Sequence, residues 1–247
     1  MNICLAQTKS EKGNIKSNIE NHLKWIDLAI SNKADLIVFP ELSLTGYEPE
    51  LAKQLASDQN DPRLNGFQRT SDRTGITIGI GLPTKSDLGI LITMVLIRPN
   101  GSKELYSKQK LHADERPYFV QASGQLILTI KETKIAPAIC YESLQPEHAE
   151  HANSLGADIY LASVAKSQTG IDKAFAHFPK IAKKYAMPVL MANCVGFCDN
   201  FESAGQTSIW DKNGILIGQL DKKSEGILIF DTETNSSRSP KNLDTGL

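Results

Sequence analysis

The chain has 247 residues, of which 40% are hydrophobic and 22% charged, a composition typical of a folded globular protein. Its net charge is −1, from 27 basic and 28 acidic residues, so no global field would attract nucleic acid or an anionic membrane surface. No apolar run approaches the roughly 18–20 residues that span a bilayer. Residues 1–7 are typical of a strand rather than a signal peptide, and the four irregularly spaced cysteines suit a reducing compartment. We therefore expect a cytoplasmic protein with a single domain over 1–247.

The first part of the chain alternates between predicted strands and helices. Residues 2–7 form a predicted strand, and residues 14–30 a helix whose apolar side chains recur every three or four positions. Residues 35–39 are a predicted buried strand, and 50–73 a polar helical region. Because a helix separates the strands 2–7 and 35–39, we expect them to pair in parallel through a right-handed crossover.

The middle of the chain is predicted to be rich in strands. Its predicted strands are 76–82, 89–98, 103–107, 125–131 and 134–139, with a polar loop over 108–124. Asn100 and Gly101 form a strong hairpin signal between two of them. Gly79 and Gly81 permit another backbone segment to approach closely. They do not form a dinucleotide-binding loop, because the third glycine and the following helix are missing.

The last third adds helices and then antiparallel strands. The predicted helices are 146–155 and 171–186, the predicted strands are 158–162, 189–192, 207–210, 215–220 and 226–230, and the tail 232–247 is predicted to be peripheral. A chain with both crossover units and hairpins needs helices over some sheet faces and a second sheet over others. We therefore predict an α/β fold, a four-layer α-β-β-α sandwich with two mixed sheets.

Three side chains that can carry chemistry follow predicted strands. Cys140 ends a buried strand and precedes a run of helix formers, where a thiol ionises more readily and an oxyanion would find backbone donors. Glu41 lies at the sheet edge where α/β proteins bind ligands. Lys108 follows the second strand of the predicted hairpin. Taken singly, each also fits an ordinary structural role, namely a buried thiol, a loop carboxylate or a solvated lysine.

Together the three segments resemble the nitrilase superfamily of carbon–nitrogen hydrolases. The motifs are F-P-E-L-x-L-T-G-Y at 39–47, Y-x-K-x-x-L at 106–111 and I-C-Y-E at 139–142, followed by G-A-D at 156–158, N-x-x-G at 193–196 and G-x-T-x-I-x-D-x-x-G at 205–214. The resemblance extends over nearly the whole chain. It implies the four-layer fold and a catalytic triad of Glu41, Lys108 and Cys140 that works without a metal or an organic cofactor.

The resemblance also implies a role for each residue. Cys140 would be the nucleophile, Glu41 the general base and acid, and Lys108 the cation that favours the thiolate and stabilises the oxyanion. The neighbouring Lys110 stands where many relatives have histidine, so Lys108 is the catalytic candidate of the two. Glu115 matches a second glutamate of the family, with the adjacent Asp114 as its alternative.

Substrate specificity is expected in the loops that follow the strands. The candidate substrate-binding residues are Tyr47, Tyr141, Glu142, Ala165 and Lys166. Relatives often carry an aromatic residue near Ala165, and this sequence does not. Lys166 could attract a substrate carboxylate, but an exposed lysine is an equal alternative. The expected reaction is hydrolysis of a small amide or carbamoyl amine through a thioester. The alternatives are nitrile hydrolysis by the same triad and a non-catalytic binding module that kept the fold.

Other combinations of residues are less favoured. His148 and His151 are more typical of a polar helix face, and Cys194-x-x-x-Cys198 lacks a second pair of zinc ligands, so we expect no metal. A cysteine–histidine dyad with His112 or His177 has no local signature. The expected partner is a small-molecule amide, with no nucleic acid and no membrane. The resemblance implies a homodimer or a larger homo-oligomer, formed by packing helices of two domains.

Overall fold

Two β-sheets lie at the centre of the structure, a computed structural model that describes residues 1–58 and 60–240. In chain order the strands are β1 (Asn2–Gln7), β2 (Leu36–Val38), β3 (Thr77–Ser86), β4 (Gly89–Ile97), β5 (Lys103–Ser107), β6 (Leu128–Ile130), β7 (Thr133–Ile139), β8 (Ile159–Val164), β9 (Val189–Asn193), β10 (Val195–Cys198), β11 (Phe201–Ala204), β12 (Ser208–Trp210), β13 (Leu216–Gln219), β14 (Gly226–Asp231) and β15 (Ser236–Arg238). The α-helices are α1 (Ile15–Ser31), α2 (Ala52–Leu55), α3 (Asn65–Thr74), α4 (Pro146–Ser154) and α5 (Gln168–Tyr185).

Each large sheet has three parallel strands in its middle and antiparallel strands at its edges. The first sheet has the order β15-β14-β1-β2-β3-β4-β5, in which β1, β2 and β3 are parallel. The second has the order β13-β12-β9-β8-β7-β6, in which β7, β8 and β9 are parallel. The predicted parallel pairing of the first two strands is therefore confirmed. Parallel strands end at the same edge of a sheet, so residues after β2, β7 and β8 can meet there.

Three hydrophobic clusters show how the layers stack. One cluster lies between the two sheets and joins residues such as Leu5 and Val38 of the first sheet to Ile139 and Leu161 of the second. A second cluster packs α1 and α3 on the outer face of the first sheet, and a third packs α4 and α5 on the outer face of the second. The molecule is thus the predicted α-β-β-α sandwich with two mixed sheets.

The two longest helices form where the apolar periodicity places them. The side chain of Asn14 caps α1 by accepting a hydrogen bond from the backbone nitrogen of Ser17 at 3.3 Å. The helix α5 begins at Gln168, three residues before its predicted start, and ends at Ala186 in a left-handed conformation. Its early start brings the first turn of α5 next to the end of β8. No helix in the described ranges is both long enough and apolar enough to cross a bilayer.

Some elements differ from the predictions. The region 50–73 is not one helix: it contains α2, a short 3-10 turn at Pro62–Leu64 and α3, because a residue before proline disfavours helical backbone. The hairpin of β10 and β11 was not predicted. In the predicted peripheral tail, β15 pairs with β14 at the edge of the first sheet, and residues 241–247 lie outside the described residues.

Candidate active site

A cavity of about 600 Å³ opens where the carboxyl ends of the central strands of both sheets converge. Six of the nine candidate site residues line this cavity: Tyr47, Glu115, Cys140, Tyr141, Ala165 and Lys166. Glu41 and Lys108 do not line it: Lys108 contacts Glu115, which does, and Glu41 contacts Lys108. Glu142 is the exception among the nine, because its side chain lies behind the cavity wall.

Lys108 lies between two carboxylates in the interior of the protein. Its Nζ is 2.7 Å from Oε1 of Glu41 and 2.6 Å from Oε1 of Glu115. All three side chains are buried, with that of Lys108 at 0% exposure. Burial alone would lower the pKa of Lys108, but the negative charges of Glu41, Cys140 and Glu115 raise it above its ordinary value. Lys108 therefore remains an ammonium ion across the physiological pH range.

The structure distinguishes the paired alternatives of the sequence. Lys110 does not reach this cluster: its ammonium pairs with Glu147 near the surface. Asp114 is exposed and lies 2.6 Å from Nδ1 of His112. Lys108 contacts both Glu41 and Glu115 in the interior, whereas Lys110 and Asp114 have their partners near the surface.

Glu115 is held by more than Lys108. The hydroxyl of Tyr47 donates to its Oε1 at 2.9 Å, and the backbone nitrogen of His112 donates to its Oε2 at 2.7 Å. Both oxygens are therefore occupied, and the carboxylate has a fixed orientation. Tyr47 thereby links the cavity wall to the buried cluster.

Cys140 follows β7 directly and begins a short 3-10 turn, Cys140–Leu144. Its φ angle is +48°, a left-handed conformation that is uncommon for a residue with a side chain and typical of functional sites. The hydroxyl of Ser143 donates to the carbonyl oxygen of Cys140 at 2.5 Å and stabilises the turn. The thiol remains partly open to the cavity, with its sulfur 3.6 Å from the carbonyl oxygen of Ala165.

The electrostatics favour a protonated thiol beside a base of raised pKa. Burial and the charge of Glu41 raise the pKa of Cys140, and the nearby ammonium groups of Lys166 and Lys108 oppose this rise. Burial also raises the pKa of Glu41, which Lys108 and a hydrogen bond with the Cys140 thiol oppose. The second oxygen of Glu41, Oε2, has no other hydrogen-bond partner among the described residues. This oxygen is therefore available to accept a proton from the thiol.

Glu142 does not line the cavity and so does not fit the substrate-binding role expected from the sequence. Its side chain is fully buried, and its Oε1 accepts hydrogen bonds from the backbone nitrogen of Ile139 and the hydroxyl of Tyr106 at 2.7 and 2.6 Å. Its Oε2 accepts from the backbone nitrogens of Gln109 and Lys110 at 2.6 and 3.1 Å. Glu142 is thus a positioning residue that holds the backbone around Cys140.

His148 extends the same buried network, so the prediction of a polar helix face is wrong for this residue. Its Nε2 lies 2.8 Å from the hydroxyl of Tyr106, and its Nδ1 lies 2.8 Å from the hydroxyl of Tyr160. His151 is exposed, as a residue of a polar face would be. Within residues 1–58 and 60–240, no three histidine, cysteine or acidic side chains form a group that could hold a metal ion.

Lys166 is buried at the cavity wall rather than exposed, with 6% of its surface accessible. Its backbone is fixed by Asn193, whose Oδ1 accepts from the Lys166 nitrogen at 2.8 Å and whose Nδ2 donates to the Lys166 oxygen at 3.2 Å. Its Nζ lies 3.4 Å from the carbonyl oxygen and 3.8 Å from the sulfur of Cys140. A second ammonium group therefore lies beside the nucleophile candidate.

Two further residues, Phe201 and Gly81, shape the site without belonging to any of the sequence motifs. Phe201, on the unpredicted hairpin, lines the cavity and packs edge-on against Tyr47 at 5.8 Å between ring centroids. Gly81 allows the segment that carries Glu41 to approach β3, since a Cβ there would lie 2.4 Å from the Leu42 nitrogen. The glycine within a buried strand was the signal for this close approach, while the four-residue strand before Phe201 carries no comparable signal.

A family model described as carbon-nitrogen hydrolase matches residues 2–241 of the chain. A glutamine-dependent NAD(+) synthetase of Thermotoga maritima is 26% identical over 96% of this chain, which spans only 43% of that protein. A probable nitrilase of Schizosaccharomyces pombe is 24% identical, over 96% of this chain and 90% of its own. A 2-oxoglutaramate amidase of Bacillus subtilis is 25% identical, over 84% of this chain and 81% of its own.

Solved structures show the same fold. A mutant amidase from Nesterenkonia sp. AN1, in complex with butyramide, superposes with a TM-score of 0.86. The alignment covers 95% of this chain and 92% of that one, at 22% identity. The amidase without its purification tag superposes with a TM-score of 0.85 at 23% identity, over 94% of this chain and 92% of that one.

Proposed function

The chain belongs to the carbon-nitrogen hydrolase family, and from this premise we propose that it hydrolyses a small amide or carbamoyl amine through a thioester at Cys140. The observation that carries the proposal is the buried contact of Lys108 with both Glu41 and Glu115, next to a thiol that opens into the cavity. Such a cluster supplies a nucleophile, a base and a permanent cation at one point.

The first half of the proposed reaction forms the thioester. Glu41 takes the thiol proton as the sulfur of Cys140 attacks the carbonyl carbon, so that a C–S bond forms and the carbonyl oxygen becomes an oxyanion. The ammonium of Lys108 and the backbone N–H of Tyr141 stabilise this oxyanion. Glu41 then gives its proton to the amide nitrogen, the C–N bond breaks, and ammonia or an amine leaves.

The second half restores the enzyme with water. Glu41 removes a proton from a water molecule, which attacks the thioester carbon, and the same cation and N–H stabilise the second oxyanion. The C–S bond then breaks, the carboxylic acid leaves, and the thiol recovers its proton from Glu41. Glu115 keeps Lys108 in place throughout, because it accepts from Lys108 and Tyr47 at the same oxygen.

Ammonia release from a panel of small amides, carbamoyl amines and nitriles tests the proposal. We expect turnover of amides or carbamoyl amines, loss of turnover in Cys140→Ala, and retention in Cys4→Ala, which removes a buried thiol in β1. A thiol-alkylating amide analogue should label Cys140, as shown by peptide mass spectrometry. Turnover by Cys140→Ala would contradict the thioester.

The same panel of amides, carbamoyl amines and nitriles also tests two alternatives, nitrile hydrolysis and a non-catalytic binding module. Nitrile hydrolysis begins with the same attack on an electrophilic carbon, and faster turnover of nitriles than of amides would replace the amide part of the proposal. A non-catalytic module would release no ammonia from any compound. The buried contact of Lys108 with Glu41 and Glu115 favours an enzyme over such a module.

The cellular setting and assembly follow from the family resemblance and the cysteine usage. We propose a cytoplasmic homodimer or larger homo-oligomer. Light scattering of the purified protein tests the assembly, and a monomer at micromolar concentration would contradict it.

A further inference from the structure

We propose that the substrate is an amide whose acyl group ends in a carboxylate, the monoamide of a short dicarboxylic acid, and that Lys166 binds this carboxylate. The inference rests on the proposed function, because it concerns the acyl group that Cys140 would receive. It assigns a recognition site on the cavity wall beside Cys140.

Lys166 is a buried cation that has no anionic partner among the described residues. No carboxylate oxygen of residues 1–58 or 60–240 forms a salt bridge with its Nζ, whereas Lys108 has two such partners. Among the described residues, Nζ forms hydrogen bonds with the carbonyl oxygen and the sulfur of Cys140, at 3.4 and 3.8 Å. Burying an unpaired ammonium is unfavourable, so an anion that enters the cavity would gain from pairing with it.

Contacts with neighbouring residues hold both the side chain and the backbone of Lys166 in place. A Cβ on Gly170 would lie 3.1 Å from the Cβ and 3.3 Å from the Cγ of Lys166, so the bare glycine leaves room for the lysine stem against the first turn of α5. The backbone oxygen of Lys166 accepts hydrogen bonds from Asn193 and from the hydroxyl of Ser203, the latter at 3.0 Å. A lysine fixed in this way is preorganised to bind a ligand at low entropic cost.

The part of the cavity wall that α5 forms carries further basic side chains. Lys173 and His177 lie four residues apart on the cavity face of α5, and Lys173 has no carboxylate partner among the described residues. The Nε2 of His177 is shielded from solvent and has no hydrogen-bond partner in the described chain. The two acids of the cavity, Asp114 and Glu115, are already paired with His112 and Lys108. The free charge of the cavity is therefore positive on the α5 side.

The position of Lys166 also limits the length of the acyl group. Its Nζ is 3.8 Å from the sulfur that would carry the acyl carbon. A carboxylate attached through a short chain can contact Nζ while the carbonyl carbon is bonded to the sulfur.

The decisive experiment compares charged and neutral amides of equal length. We would measure kcat/KM for succinamate and glutaramate, and for butyramide and valeramide, in the natural enzyme and in Lys166→Met. We expect the natural enzyme to prefer the charged amides, and Lys166→Met to lose roughly 10- to 100-fold more kcat/KM for the charged amides than for the neutral ones. Lys183→Met, an exposed lysine in the last turn of α5, is the matched control and should retain the preference.

Two results would overturn the proposal. One is a natural enzyme that prefers the neutral amides. The other is an equal loss for both classes in Lys166→Met, which would show that Lys166 acts on the thiol and not on a substrate carboxylate. Lys166→Arg keeps the charge and should recover part of the preference, and circular dichroism of each variant establishes that it is folded.

A binding measurement separates this proposal from the proposed function. Calorimetry of succinamate with Cys140→Ala reports the carboxylate site without any turnover. If Cys140→Ala binds succinamate and the double variant Cys140→Ala/Lys166→Met does not, the carboxylate site is supported even if no amide releases ammonia. If neutral amides are hydrolysed through Cys140 and succinamate does not bind, the proposed function stands and the carboxylate site is excluded.

Discussion

The carboxylate of Glu142 lies 2.6 Å from the backbone nitrogen of Gln109, the residue that follows Lys108. The other oxygen of the same carboxylate accepts from the backbone nitrogen of Ile139, the residue that precedes Cys140. One buried side chain thus binds the main chain next to both the cation and the nucleophile candidate, which belong to different sheets. The relative position of the two groups depends on this bridge.

The variant Glu142→Gln tests the bridge. The glutamine side chain carries an NH2 group where Glu142 has one of its two oxygens. The backbone N–H groups that bind this oxygen, either that of Ile139 or those of Gln109 and Lys110, then lose their acceptor. We expect the free energy of unfolding to fall by about 1–3 kcal/mol and kcat to fall with little change in KM. Urea denaturation and the ammonia assay measure the two effects.

Tyr106→Phe is a milder change to the same hydrogen-bond network and should have a smaller effect on stability than Glu142→Gln. It removes a single hydroxyl donor to the same carboxylate and should cost about 0.5–1.5 kcal/mol. Full stability and full activity of Glu142→Gln would show that the bridge does not position the site.

Gly81→Ala tests the close approach of the Glu41 segment to β3. The added Cβ would lie 2.4 Å from the nitrogen of Leu42 and 2.7 Å from the oxygen of Pro40, so the backbone on both sides of Glu41 must move. We expect a loss of about 1–3 kcal/mol in stability and a larger loss in kcat than in substrate binding. Thermal denaturation and steady-state kinetics measure both.

Gly66→Ala is the matched control, because Gly66 lies in α3 and a Cβ there meets no atom within 4 Å. This substitution should stabilise the helix by about 0.5–1 kcal/mol and leave kcat unchanged. If Gly81→Ala behaved like Gly66→Ala, the contact would be irrelevant to Glu41.

The pH dependence of activity should reflect the environment of Glu41. Burial raises the pKa of this carboxyl from 4.5 to about 7, and the charge of Glu115 contributes to the rise. Because the base must be ionised, kcat/KM should increase with pH through the neutral range rather than near the ordinary glutamate value. A rate profile between pH 4 and 9 measures this acid limb.

Glu115→Gln should move that limb to lower pH. The substitution removes a negative charge that raises the pKa of Glu41, although kcat should also fall because Lys108 loses a carboxylate partner. Glu147→Gln, at an exposed position on α4, is the control and should leave the limb in place. An acid limb near pH 4.5 in the natural enzyme would contradict the role of Glu41 as the buried base.

Two buried histidines should make the fold sensitive to acid. Burial lowers the pKa of His22 and of His148 from 6.5 to about 4. A histidine with a depressed pKa contributes stability above the pKa of the unfolded chain, 6.5, and this contribution is lost as the pH falls toward 4. Over that interval each residue should add up to about 1.4 kcal/mol per pH unit to the slope of the unfolding free energy.

The slope is measured by urea denaturation at several pH values. His148→Gln should reduce it by the share of one histidine, while His151→Gln, at an exposed position on α4, should leave it unchanged. An unchanged slope in His148→Gln would show that this histidine is not held in the neutral form.

Much of the fold could be predicted because its signals are local. The periodicity of 14–30 predicted α1, and the apolar runs before Glu41 and Cys140 predicted the strands that position them. The hairpin of β10 and β11 escaped prediction because its strands have four residues each and no regular alternation. The region 50–73 was misjudged because polar composition does not show where a helix is interrupted.

The sequence by itself determined the family resemblance and the three side chains that follow the strands, because motif order and strand ends can be read along the chain. Only the tertiary structure decided which of two neighbouring residues lies in the buried cluster. Lys108 and Glu115 meet in the interior while Lys110 and Asp114 pair elsewhere, since their environments depend on how the two sheets pack. The same packing buries Glu142 behind the nucleophile candidate and directs Lys166 toward it, and neither placement can be derived from residue type or spacing.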